Sequence, residues 1–268
     1  LNPSNDVAFA DRAWAHIKLG KYKEAIADCD EALRLDENSF LGHQRRAWAL
    51  IASGQWEEAA RCFERLVELQ PKKIGHLQQL AKCEFMSQGA NAYRRRCQMA
   101  VERFDSPDAS IQLKRSLVGM CCSVTNAVEN TETMVQFARE VMAASPPNEV
   151  WNKKVMAKAL LCDGQSDEAL PILLELEADE TDQVRGATLF ILAKAYHAAG
   201  QADVAADWLN KGDAWTAKYL AEGNWKQPSQ PLTIQVAQKD AHEVLGIPLD
   251  TTQDTAPVES TEDKASSN

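Results

Sequence analysis

In the N-terminal part of the chain, apolar positions recur three and four apart with polar ones between, the period of a helix that buries one face. The pattern breaks at regular places. Asn5, whose side chain suits the free amides of a helix start, precedes a periodic run that ends at Leu19, and Gly20 then permits a left-handed turn. Further runs span Tyr22–Leu35, Phe40–Ser53 up to Gly54, and Trp56–Leu69, which Pro71 stops. The pattern predicts helices in pairs, joined by tight turns.

The pairs repeat. Arg-Ala-Trp-Ala stands at 12–15 and again at 46–49, an offset of 34 residues. Gly20 and Gly54, Tyr22 and Trp56, and Glu24-Ala25 and Glu58-Ala59 hold the same offset, and Pro3 matches Pro71 across two periods. Small residues recur at Ala13, Ala47 and Ala81 in first helices and at Ala25 and Ala59 in second helices. Side chains of that size let paired helices approach closely, which is a demand of packing and not of chemistry. The register loosens afterwards through Gly119, Ala157 and Ala193, with turns at Gly164 and Gly200 and partners Ala169 and Ala205.

Six helix pairs follow, over about 6–39, 40–73, 74–107, 108–147, 148–180 and 181–223, with the third and fourth degenerate. Tyr93 occupies the place of the second-helix alanine in the third unit, beside Ala92. Pro147 and Asn148 open the fifth unit. Its second helix, capped at Ser166, meets Pro171, which predicts a kink or a late start. Residues 202–222 read as a long final second helix and 224–231 as a loop. Residues 232–247 read as an amphipathic capping helix with Ile234, Ala237, Ala241, Val244 and Leu245 apolar. The acidic stretch 248–268 has almost no large apolar residue and reads as disordered. The fold class is all-α: a right-handed superhelical solenoid of antiparallel helix pairs with a terminal cap.

Composition narrows the function. The chain has 268 residues, 45% of them hydrophobic, and a formal charge of −10, which argues against non-specific nucleic-acid binding. No run of apolar residues is long enough for a membrane span, and no signal peptide is visible. The seven cysteines form no Cys-x-x-Cys pair, so a disulfide framework and a structural zinc site are both disfavoured and the compartment reads as reducing and cytoplasmic. Cys121-Cys122 has no histidine close in sequence and reads as buried and structural. Arg94-Arg95-Arg96 points in three directions on a helix and reads as a solvated face. No catalytic constellation, metal site or cofactor motif emerges. Because residues 1–5 match those before the third unit, the chain reads as cut from something longer, with further domains N-terminal to it.

These residues together resemble the tetratricopeptide-repeat family. Unit one carries the pattern as Ala13, Gly20, Tyr22, Ala25 and Ala32, and unit two as Ala47, Gly54, Trp56, Ala59, Phe63 and Pro71. Units five and six carry it through Ala157, Gly164 and Ala169, then Ala193, Tyr196, Gly200 and Ala205. The resemblance implies a protein-interaction scaffold with a peptide or helix as ligand, and no enzyme. A narrower likeness joins 192–215 and Ala241-His242-Glu243-Val244-Leu245-Gly246-Ile247 to the C-terminal repeats of large modular bacterial Ser/Thr protein kinases and WD-repeat proteins. It implies a recruiting module, or a structural spacer or dimerisation part of such a kinase.

The resemblance also places the inner face on the first helix of each pair. There Val7, Ala10, Trp14 and Ile17 form one stripe, Leu41, Gln44, Trp48 and Ile51 its equivalent, and Gln78, Lys82 and Phe85 a third. Tryptophan suits a recognition floor because it buries much area with few rotors. The same rings packed on the facing helix would be ordinary core, and the stripe does not separate the two readings. The carboxylate clamp of some family members is not reproduced at its corresponding positions Ala10, Trp14, Arg45, Gly75 and Gln79.

Overall fold

The computed structural model describes residues 5–104, 106, 108–144, 150–178, 182–222 and 229–249, which hold thirteen α-helices and no strand. In order they are α1 Asp6–Lys18, α2 Tyr22–Leu35, α3 Phe40–Ala52, α4 Trp56–Leu69, α5 Ile74–Gln88, α6 Ala90–Phe104 and α7 Ile111–Cys121. Then follow α8 Thr131–Ala143, α9 Val150–Cys162, α10 Ser166–Ala178, α11 Asp182–Ala198, α12 Ala202–Glu222 and α13 Ser229–Leu245.

Local chemistry sets the boundaries. Asn5 Oδ1 accepts from Ala8 N at 3.2 Å and starts α1. Ser39 Oγ caps α3 by accepting from Gly42 N, and donates to Asp6 Oδ2 at 2.7 Å, which ties the start of α3 to the first turn of α1. Gly20 and Gly54 turn the chain between paired helices with φ of 72° and 73°, a region costly for a residue with a Cβ.

Two compact units divide the chain, and the division runs through α12 and α13. One contains α1 to α5. Its small residues Ala13, Ala25, Ala47 and Ala59 are wholly buried, as the close approach of paired helices requires. Ala13, Ile17, Tyr22, Ala25, Cys29, Ala49 and Ala52 make a continuous core in which α1, α2 and α3 meet.

The other contains α6 to α11 with most of α12 and α13. Its core is bulkier, with Tyr93, Leu117, Met120, Met134, Leu173, Phe190 and Leu192 fully buried. Tyr93, in place of the expected alanine, donates its hydroxyl to Met120 O at 2.9 Å, while Ala92 beside it is buried too. Asp240 on α13 accepts from Thr125 N at 3.0 Å, from Thr125 Oγ1 at 3.1 Å and from Lys194 Nζ on α11. His242 on the same helix bonds to Asp213 of α12 at 3.1 Å.

Two expected boundaries move. Ser166 is the first residue of α10 and not its cap, and the helix continues through Pro171 without a late start. α13 begins at Ser229, earlier than expected, and takes in Pro231, whose fixed φ and missing N–H are tolerated in a first helical turn. The remainder of the expected loop, residues 224–228, and residues 250–268 of the expected disordered tail lie outside the described residues. No helix among the described residues is long and apolar enough to cross a membrane.

Candidate functional site

The stripes expected on α1, α3 and α5 separate by burial. Ala10, Ile17, Ile51 and Phe85 are buried, Ala10 and Phe85 completely, so they belong to the packing between helices and not to a surface open to a ligand. Sequence periodicity does not distinguish the two sides of a helix that is covered on both. Val7 is 42% exposed, and Trp14, Leu41, Gln44, Trp48, Gln78 and Lys82 are half-buried.

Both tryptophans lie with one side against the core cluster of α1 to α3. Trp48 meets the Phe63 ring edge-on at 5.2 Å, a contact that anchors it to α4. Trp14 is placed differently. The Arg45 guanidinium lies 4.3 Å from its ring centre and the Lys18 ammonium 4.7 Å, so two cations gather on one indole. Burial pulls the Arg45 guanidinium below its ordinary range, against the nearby Asp11. Its Nε is buried and has no hydrogen-bond partner.

Gln79 on α5 follows Arg45 by one period of 34 residues, and its Oε1 is likewise buried and unpartnered. Two orphaned polar atoms at equivalent repeat positions are unusual, because a buried donor or acceptor without a partner costs about 1–3 kcal/mol. Sequence reasoning visited both residues only to test for a carboxylate clamp. The signal that marks them, lost solvation without compensation, exists only in three dimensions.

The Arg-Ala-Trp-Ala arginines have a structural duty. Arg12 forks onto Asp28, with Nε to Oδ2 at 2.7 Å and its second nitrogen on Oδ1. One period on, Arg46 reaches Cys62 Sγ at 3.4 Å and Asp30 at 2.8 Å. In each pair the arginine ties the first helix to a second helix. Of the arginine run, Arg94 is engaged by Asn91 Oδ1 and by Asn126 O at 2.8 Å.

Lys82 has a measurable signature. Burial draws its amine from 10.5 down to about 8. Between those values the unfolded chain binds the proton and the folded chain has shed it, so this group makes stability rise with pH through that window. Lys82→Met should be more stable than the parent below pH 8 and should lose that part of the rise, whose slope reaches about 1.4 kcal/mol per pH unit. Urea unfolding of both proteins across the window measures it, and identical pH profiles would contradict the assignment.

Among the described residues no group of His, Cys, Asp and Glu is arranged to hold a metal ion.

Comparison with known proteins agrees with this architecture. Residues 7–39, 40–73 and 186–211 each match a model described as tetratricopeptide repeat. These segments are tetratricopeptide repeats. Tetratricopeptide repeat protein 12 of Mus musculus is 38% identical over 66 residues, which is 25% of this chain and 9% of that protein. Small glutamine-rich tetratricopeptide repeat-containing protein 2 of Saccharomyces cerevisiae is 32% identical over 68 residues, 25% of this chain and 20% of that one. The chain therefore spans a fifth or less of these relatives. Among solved structures, a tetratricopeptide repeat protein from Parabacteroides merdae superposes with a TM-score of 0.55 at 13% identity, covering 88% of this chain and 86% of that one. PilW, a type IV pilus biogenesis factor, superposes at 0.51 with 14% identity, covering 86% and 98%. At these identities the likeness shows the fold alone.

Proposed function

We propose that α1, α3 and α5 present a recognition surface for a peptide or helix of a partner protein, with Trp14 as its floor and Arg45 as its polar anchor. Tetratricopeptide-repeat proteins act as protein-interaction scaffolds, and the chain carries such repeats over residues 7–73, which hold α1 and α3. The observation that carries the reading is the half-buried Arg45 guanidinium, 4.3 Å from the ring centre of the half-buried Trp14 and with its Nε unpartnered. A ligand carbonyl or carboxylate would meet the guanidinium on the side of Arg45 that remains open. Gln79, one repeat on, is half-buried and carries a second unpartnered acceptor beneath the same surface. Of the stripe, Val7, Trp14, Leu41, Gln44, Trp48, Gln78 and Lys82 remain as its members.

No catalytic role is part of this reading. Attachment to a bacterial Ser/Thr kinase has the C-terminal sequence likeness behind it, and recognition by this surface does not depend on it. The six-unit division, a cytoplasmic setting and self-association through the third and fourth units are likewise proposals from the sequence.

The test is selection of peptides on the purified chain from a displayed random library, followed by titration of the selected peptides into variants. Trp14→Ala and Arg45→Gln are expected to weaken binding about tenfold or more, the scale of a recognition hot spot. Arg61→Gln, on the exposed side of α4, should leave it unchanged. Thermal melts followed by circular dichroism separate lost binding from lost fold. Peptides that bind folded Trp14→Ala and Arg45→Gln as they bind the parent would remove this surface from the function.

A further inference from the structure

Away from that surface, the second unit holds two pairs of cysteines joined thiol to thiol. Cys97 and Cys121 are one pair, both wholly buried. Cys122, which follows α7, and Cys162, the last residue of α9, are the other, with the Cys122 thiol donating to the Cys162 sulfur. The second pair differs in what surrounds it. Both cysteines line a cavity of about 100 Å³ whose wall also includes Lys158, Lys194, Thr125 and His197. Cys162 retains solvent exposure and Cys122 is 6% exposed, so one cysteine of the cavity wall is open to solvent and the other is covered.

The electrostatics distinguish the two sulfurs. The hydrogen bond from Cys122 draws the Cys162 thiol below its ordinary value, opposed by burial and assisted by the Lys194 charge, with Asp163 and Asp240 acting the other way. Cys122 moves upward, because it is the donor and is buried. A thiolate is the nucleophile in cysteine chemistry and a thiol held beside it is a resolving partner. One sulfur is therefore prepared to react first and the other second.

We infer that Cys162 and Cys122 form an oxidisable dithiol, a modification site for a small hydroperoxide that enters the cavity and leaves a disulfide joining the ends of α7 and α9. The Cys162 sulfur attacks the terminal oxygen of the peroxide, the O–O bond breaks, and the leaving oxygen takes a proton to depart as water or an alcohol. Cys162 is then a sulfenic acid. The Cys122 sulfur attacks it, the S–O bond breaks, and water leaves with the Cys122 proton. Two thiols and one hydroperoxide become one disulfide, one water and one alcohol or second water, and a dithiol reductant reverses the change.

The experiment treats the full chain with hydrogen peroxide, alkylates the remaining thiols after denaturation, and maps the peptides by mass. The expected product is a Cys122–Cys162 crosslink with the loss of two hydrogens, reversed by dithiothreitol. Cys122→Ser should stop at a Cys162 sulfenic acid that dimedone traps, and Cys162→Ser should leave Cys122 as a thiol. Cys97 and Cys121 are the internal control: they share the thiol contact and lack the cavity, so they should remain alkylatable. Oxidation of Cys97 and Cys121 at the same rate would show that the cavity selects nothing. A Cys162 left reduced by peroxide that oxidises glutathione in the same tube, or a wild-type sulfenic acid with Cys122 still free, would overturn the inference. Melts of both serine variants confirm that they are folded.

Discussion

Replacing Lys194 with methionine is expected to destabilise the second unit by about 3–5 kcal/mol, because it strands a buried carboxylate. Asp240 is 2% exposed and Lys194 6%. Without the ammonium, Asp240 keeps, among the described residues, only the Thr125 amide and hydroxyl, and these do not neutralise a charge. The triad joins α11, α13 and the segment after α7, so its loss should propagate through the cooperative unit. The double variant Lys194→Met/Asp240→Leu should recover most of the loss, since removing both charges also removes their desolvation cost. Urea unfolding of the three proteins at matched slopes decides the point. Equal midpoints for the single and double variants would mean that the pairing of charges is not what stabilises this junction.

That triad also shows where sequence stops being informative. The first two helix pairs were legible because a repeat writes the same constraints twice: alanine where helices touch, glycine where the chain must turn left-handed. Lys194, Asp240 and Thr125 obey no period, and nothing local tells a buried lysine from a solvated one. Tyr93 was legible as a departure from the pattern, while its reason, a hydroxyl directed at Met120 O, was not. The same holds for Cys122 and Cys162, which lie in different helix pairs and line one cavity with His197 from a third.

On the proposed recognition surface the sequence over-counted the open side of α1, α3 and α5. A stripe at helical spacing names a face but not its depth, and Ala10, Ile17, Ile51 and Phe85 lie too deep to meet a ligand. Trp14 and Trp48 resolve into unequal partners. Trp48 is braced by Phe63, so its removal should register first in stability. Trp14 carries two cations and should register in binding.

The second large effect concerns the contact of α11 with α12, where two glycines make room for two rings. A methyl group at Gly186 would lie 2.1 Å from the Trp215 ring, and one at Gly212 would lie 2.6 Å from the Phe190 ring. Both distances are too short for a carbon contact, so a ring or a helix must shift, and Phe190 is wholly buried. Gly to Ala inside a helix normally stabilises by up to about 1 kcal/mol. Here overpacking works against it by about 1–3 kcal/mol, so both variants should be less stable than the parent, Gly186→Ala more so. Gly119 on α7 has open space at the same construction, and Gly119→Ala should follow the ordinary rule and stabilise. Thermal melts of the three variants provide the comparison. Trimming the opposing ring supplies the decisive step: in a Trp215→Leu background, Gly186→Ala should cost less than it does in the parent. An equal cost in both backgrounds would mean that the glycine answers to the backbone and not to the tryptophan.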